Sequence, residues 1–139
     1  MAYENNRQRV ERFIDAFLSG DSAAQQSLVH PDVVFHSPES LPYGGQWHGH
    51  DGWRAMKKAI AEVWSELKLT ITRVIGADHD ECFAVIATLQ VTARATGARY
   101  EAEVMEQWHW QDGLLVYVRP YYWDTARVLE VTGLSPNTR

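Results

Sequence analysis

Near residue 66 the spacing of apolar residues changes from a period of about 3.6 to a period of 2. Upstream, Val10, Phe13, Ile14, Phe17 and Leu18 fall at helical spacing and mark one apolar face, and Gly20 ends that helix. Ser22 and Gln25 have the spacing of a capping box and open a short second helix reaching Val29, which His30-Pro31-Asp32 breaks. Val33 to His36 reads as a short strand, and the proline- and glycine-bearing stretch from Ser37 to Asp51 as an irregular loop. Asp51 is placed to cap a third helix, whose stripe of Trp53, Met56, Ile60 and Trp64 carries it to about Glu66. Downstream, Leu67, Leu69 and Ile71 alternate with polar residues, as do Phe83 to Val91 and Tyr100 to Trp110. Asp112-Gly113 marks a hairpin turn, a last strand runs from Leu115 to about Trp123, and a short helix spans Thr125 to Val131.

Helices first and four long antiparallel strands afterwards make an α+β chain with the helices on one sheet face. Strands this long must twist and curve. A curved antiparallel sheet wrapped around the N-terminal helices is cone-shaped and encloses one deep pocket. A length of 139 residues suits one domain over 1–139, since a second would be too small to stabilise itself.

Composition narrows the function. A net charge of −5 without a block of Lys or Arg argues against nucleic acid. Cys82 is the single cysteine, which excludes an intramolecular disulfide and a thiolate metal cage. The polar N-terminus lacks the apolar core of a secretory signal, and no stretch approaches a membrane span, so a cytoplasmic protein without membrane contact is the expectation. His48-Gly-His50 has no third ligand at metal-binding spacing, so no metal is expected. Six Trp and six Tyr exceed what packing needs and suit a ligand pocket.

The order helix, helix, short strand, Pro/Gly loop, helix, four strands resembles the nuclear transport factor 2-like superfamily, with its cystatin-like cone. Two motifs resemble its SnoaL-like polyketide cyclases: the loop Leu41-Pro-Tyr-Gly-Gly-Gln-Trp-His-Gly-His-Asp-Gly-Trp53, and Tyr121-Tyr-Trp-Asp-Thr-Ala126 at the end of the last strand. The resemblance implies that Asp124 is the acid/base residue of a ring-closing aldol step needing neither metal nor cofactor. Glu106, Trp108 and Trp110 before Asp112-Gly113 are similar to a strand of the ketosteroid isomerases, which implies a proton-donating acid at Glu106. Phe13 stands where those isomerases carry an oxyanion Tyr, and Ser37, or His36 with a one-residue slip, where they carry the general-base Asp.

The residues themselves support these roles and also plainer ones. Glu106 lies among apolar neighbours, where desolvation would raise its pKa; otherwise it pairs with Arg119 on the next strand. Val118, Pro120, Tyr122 and Asp124 share one strand parity, which turns Asp124 inward with Val118; otherwise Asp124 caps the last helix. His36 is a third candidate for proton transfer at the pocket wall, or a surface His at a strand end. Phe13, Phe17, Trp108, Val118 and Tyr122 are candidate substrate contacts; Trp53, Met56 and Trp64 are contacts or plain core; Tyr43 and Trp47 are placed for a lid at the cone's mouth.

The opposite strand face, Glu101, Glu103, Met105, Gln107 and His109, is polar with one Met. The superfamily resemblance implies a homodimer through it. The reading that follows is a cofactor-free cyclase, isomerase or dehydratase acting on a small apolar or aromatic carbonyl compound. A non-catalytic small-ligand binder and a protein scaffold on the same fold are the alternatives.

Overall fold

Each chain segment up to residue 63 is shaped by how its ends are satisfied. In the computed structural model, which describes residues 3–136, helix α1 spans Asn6–Leu18. Asn5 accepts from the Gln8 amide at 2.8 Å, and the Gln8 side chain accepts from the Asn5 amide at 2.9 Å, so two otherwise orphaned donors are satisfied together. The helix buries Val10, Phe13 and Ala16, whereas Phe17 and Leu18 at its far end are exposed. Helix α2, Ser22–Ser27, is capped by Asp21, whose carboxylate accepts from Ala24 N at 3.0 Å, instead of by the anticipated Ser22–Gln25 box. It is shorter than expected because Val29 already belongs to strand β1, Val29–Ser37.

β1 runs through the His30-Pro31-Asp32 segment without ending, but its register shifts between Val29 and Val34. Pro31 lacks an N–H for the ladder, and the irregularity accommodates it. The Pro/Gly loop is not wholly irregular: Gly45–His48 forms β2, antiparallel to β1 from Ser37↔Gly45 to Val34↔His48. Helix α3, Gly49–Val63, starts two residues before Asp51 and ends before Trp64, so Asp51 sits in its first turn instead of capping it. Trp64 has extended dihedrals (φ −111°, ψ 122°) and passes directly into β3, Trp64–Ile75. The β-branched residues after it, Thr70, Ile71, Thr72, Val74 and Ile75, favour a strand, and pairing of Trp64 with Ala93 decides the matter.

Strands β4 (Cys82–Ala93), β5 (Arg99–Gln111) and β6 (Leu114–Tyr122) follow, and α4 (Thr125–Thr132) closes the chain. Asp112 (φ 51°) and Gly113 (φ 78°) both adopt the left-handed backbone that a two-residue hairpin requires. The sheet order is β2-β1-β6-β5-β4-β3. Neighbours are antiparallel except β1 and β6, which run parallel through Phe35↔Val118, so the sheet is mixed. Register shifts at Trp64/Glu66, Ile71/Arg73 and His109/Trp110 add local twist, and the sheet curves as an open wall around α1 and α3.

One side chain ties helices to sheet. Phe13 meets Trp108, Trp110 and Trp53 edge-on, with ring centroids 5.1, 6.1 and 6.2 Å away. Such pairs contribute about 0.5–1.5 kcal/mol each beyond burial. Trp110 is fully buried beneath them. A second apolar cluster joins Leu41, Tyr43, Val63 and Trp64 to Leu89, Val91 and Val104, with α4 supplying Val128 and Val131.

Candidate functional site

Between α1, α3 and the concave sheet face lies an apolar cavity of about 150 Å³. Strand parity supplies its sheet wall: Val104, Glu106 and Trp108 on β5, Val118, Pro120 and Tyr122 on β6, and Phe35 on β1 all point the same way. Helix periodicity supplies the other wall, from Phe13, Ile14 and Phe17 on α1 and Trp53, Met56, Lys57 and Ile60 on α3. Gln25 of α2 completes it. A wider groove of about 580 Å³ on the outer side carries Glu66, Lys68, Arg99 and Glu101; it is open and of mixed charge.

Glu106 is the acidic group of the cavity. Its register partners are Val85 and Pro120, so neither neighbouring strand offers it a charge. Burial raises its pKa above the ordinary carboxylate range, and the indole of Trp108, which donates to Oε1 at 2.9 Å, opposes that rise in part. The alternative pairing with Arg119 does not form: Arg119 stands opposite Gln107 and lies over the Tyr121 ring at 5.4 Å.

Behind the cavity runs a line of hydrogen bonds. Trp64 Nε1 donates to the Tyr43 hydroxyl at 3.2 Å, and that hydroxyl lies 2.8 Å from the hydroxyl of Tyr122. An indole N–H only donates, so the Tyr43 oxygen is an acceptor and its own proton can go to Tyr122. Tyr122 can then turn its proton into the cavity. Burial raises the pKa of Tyr43, and raises that of Tyr122 well above the usual tyrosine value, with Tyr43 and Glu106 adding to the latter shift. Both tyrosines therefore stay protonated donors at neutral pH.

Several expected residues are elsewhere. Asp124 does not converge with Glu106: it is exposed, its φ and ψ are −146° and 94°, and its carboxylate accepts from Arg127 N at 3.0 Å as the cap of α4. Parity held to Tyr122, where β6 ends; beyond it the chain turns into the helix and alternation no longer applies. His36 faces outward, between the Tyr117 hydroxyl (3.0 Å from Nδ1) and Glu39 (2.9 Å from Nε2). Ser37 takes the inward parity and is buried, with no partner for Oγ among the described residues, yet it does not line the cavity. Tyr43 is no lid: it is 1% exposed and sits deep behind the wall with Trp64. Trp47 also stands off the cavity, its Nε1 donating to Tyr43 O at 3.0 Å. Phe13, Phe17, Trp53, Met56, Trp108, Val118 and Tyr122 do line it, with Phe17 the most exposed of them.

Sequence reasoning missed Gln25 and Lys57. The legible signal was a lysine four residues after Trp53 and three before Ile60, on the apolar stripe itself. Among the described residues no group of three or more His, Cys, Asp or Glu side chains is assembled to hold a metal; His50 Nε2 instead meets Val29 O at 2.8 Å. No described helix is long and apolar enough to cross a membrane.

An aromatic cavity between N-terminal helices and a curved sheet, with one carboxyl inside, is the architecture of the nuclear transport factor 2-like class. The match of the SnoaL-like domain profile to residues 10–118 assigns the chain more closely: it belongs to the SnoaL-like family. An NTF2-like protein of unknown function from Burkholderia pseudomallei is 27% identical, with 95% of this chain and 100% of that one aligned at a TM-score of 0.83. TerC, crystallised with polyporic acid, is 21% identical over 93% of this chain and 98% of its own, with a TM-score of 0.81. A candidate polyketide cyclase from a Silicibacter species is 19% identical over 94% and 97%, with a TM-score of 0.75. No functionally curated protein gives a significant match.

Proposed function

We propose that this chain is a cofactor-free acid/base enzyme acting on a small carbonyl compound held in the apolar cavity, with Glu106 as the proton-transfer group. The observation that carries this reading is the position of Glu106: a carboxyl inside an aromatic wall, biased toward its protonated form, beside the donors Trp108 and Tyr122. A carbonyl oxygen of the substrate takes the Tyr122 proton as a hydrogen bond. Glu106, once ionised, removes a proton from the adjacent carbon, and the enolate that forms is stabilised by the hydroxyl backed by Tyr43 and Trp64. Return of the proton at another carbon is isomerisation; attack of the enolate carbon on a second carbonyl of the same substrate closes a ring, and the proton held by Glu106 passes to the alkoxide formed as that C=O bond opens.

Size narrows the substrate. A cavity of about 150 Å³ matches the apolar cavity volume known to admit benzene, and falls below the roughly 300–1,000 Å³ of pockets for drug-sized ligands. One ring fits this volume; a fused multi-ring polyketide exceeds it. Crystallisation of TerC with polyporic acid supports small-molecule binding on this fold.

The test is exchange of the α-protons of cyclohexanone in heavy water, followed by proton NMR. The wild-type protein should accelerate exchange over buffer, and Glu106→Gln should return it to the buffer rate. Equal rates for the two proteins would remove Glu106 from the role. One observation favours the binding-only alternative: with Asp124 outside, the cavity holds a single carboxyl. Wild-type protein that binds cyclohexanone without accelerating exchange decides for that alternative.

The outer sheet face supports pairing of two copies. Met105 and Tyr121 are register partners there, 42% and 44% exposed, beside Gln107 and Arg119. Sedimentation of a dimer that Met105→Glu converts to a monomer is the expected result.

A further inference from the structure

We propose that Lys57 and Gln25 form an anion-binding pole of the cavity, which selects one-ring ligands carrying a carboxylate or an equally acidic oxygen. The inference rests on the cavity being the small-molecule site.

Lys57 is half-buried on the cavity face of α3, in line with Trp53, Met56 and Ile60. Gln25 is 4% exposed and reaches the same wall from α2. The Lys57 ammonium donates to Gln25 Oε1. An ammonium only donates, so this contact fixes the amide orientation and turns the Gln25 NH₂ group the other way. Among the described residues that NH₂ has no hydrogen-bond partner. Nor does any described carboxylate lie within ion-pair distance of Lys57, whereas Arg54 on the same helix is neutralised by Asp51. The pair therefore offers the cavity donors alone, one of them charged. Burial lowers the Lys57 pKa, the response of a cation held in an apolar wall without a counter-charge. An anion placed there relieves that cost and accepts from both Nζ and Nε2.

Glu106 is not that counter-charge. Among the described residues no ion pair joins it to Lys57, and its carboxyl accepts from Trp108 Nε1 at 2.9 Å. The cavity thus receives polar groups from two sides: Lys57 and Gln25 from the helices, and Glu106, Trp108 and Tyr122 from the sheet. A ligand spanning both carries its acidic oxygen at the helical end and its reacting carbonyl at the sheet end.

Benzoate and benzamide form a matched probe pair, of equal shape and different charge. Their binding is followed by NMR through the indole N–H signals of Trp53 and Trp108. The wild-type protein should prefer benzoate by about tenfold, the scale of one charge-assisted hydrogen bond over a neutral one. Lys57→Met and Lys57→Gln should both erase the preference, benzoate affinity falling about tenfold relative to that of benzamide. Using both variants separates loss of charge from a packing defect at one of them. Equal affinities in the wild type, or a preference that survives in both variants, overturns the inference and leaves the small-molecule reading standing. Neither probe shifting either indole in the wild type overturns both.

Discussion

The indole N–H of Trp108 donates to the carboxyl of Glu106, two residues earlier on the same strand face, at 2.9 Å. This contact and the surrounding burial act on Glu106 in opposite directions, and burial is the larger. A carboxyl whose pKa is raised on folding contributes stability that is fully present below its unfolded value and is lost as pH rises through the folded one. Glu106→Gln removes that dependence. Thermal melts of the two proteins should therefore diverge in the variant's favour as pH rises out of the acid range. A wild type whose melting temperature tracks the variant at every pH contradicts the burial.

Tyr43→Phe deletes one oxygen and leaves two groups short of a partner, Trp64 Nε1 and the Tyr122 hydroxyl. An unsatisfied buried polar group costs about 1–3 kcal/mol. Urea denaturation should show a loss of at least that size, since two groups are affected, and α-proton exchange should slow because Tyr122 loses its backing donor. Unchanged exchange would detach Tyr43 from the site.

Phe13→Ala removes the ring that Trp53, Trp108 and Trp110 meet edge-on. The expected loss is about 3–5 kcal/mol, the range for a buried Phe, again by urea denaturation. Since Phe13 also lines the cavity, benzamide affinity should change with it.

Asp124→Ala should cost about 0.5–2 kcal/mol through loss of the α4 cap, and Asp124→Asn much less, since Asn caps nearly as well. Neither change should alter α-proton exchange. An Asp124→Asn protein with unchanged stability and abolished exchange would return the acid/base role to Asp124.

The period change after α3 carried the architecture, because both periods arise from local backbone geometry and sequence alone displays them. Parity placed Glu106, Trp108, Val118 and Tyr122 on one wall for the same reason. It misled at Asp124, where the alternation was extended past the last hydrogen-bonded residue of β6. The helical stripe misled at Trp64, whose position at the end of the α3 pattern is also the first residue of a strand. What was hidden is non-local: β1 beside β6 in parallel, and Tyr43 on Tyr122 across 79 residues. Local patterning holds no record of such partners. Lys57 was visible in the sequence as a lysine on the apolar stripe of Trp53, Met56 and Ile60.

Titration of the Glu106 side-chain carbon by NMR, with Glu106→Gln identifying the signal, bears on the site most directly. The expected midpoint lies above that of an exposed glutamate and rises further in Trp108→Phe, where the only donor to the carboxyl among the described residues is gone. A midpoint in the ordinary range, unmoved by Trp108→Phe, would show a solvated carboxyl and leave the cavity without its proton-transfer group.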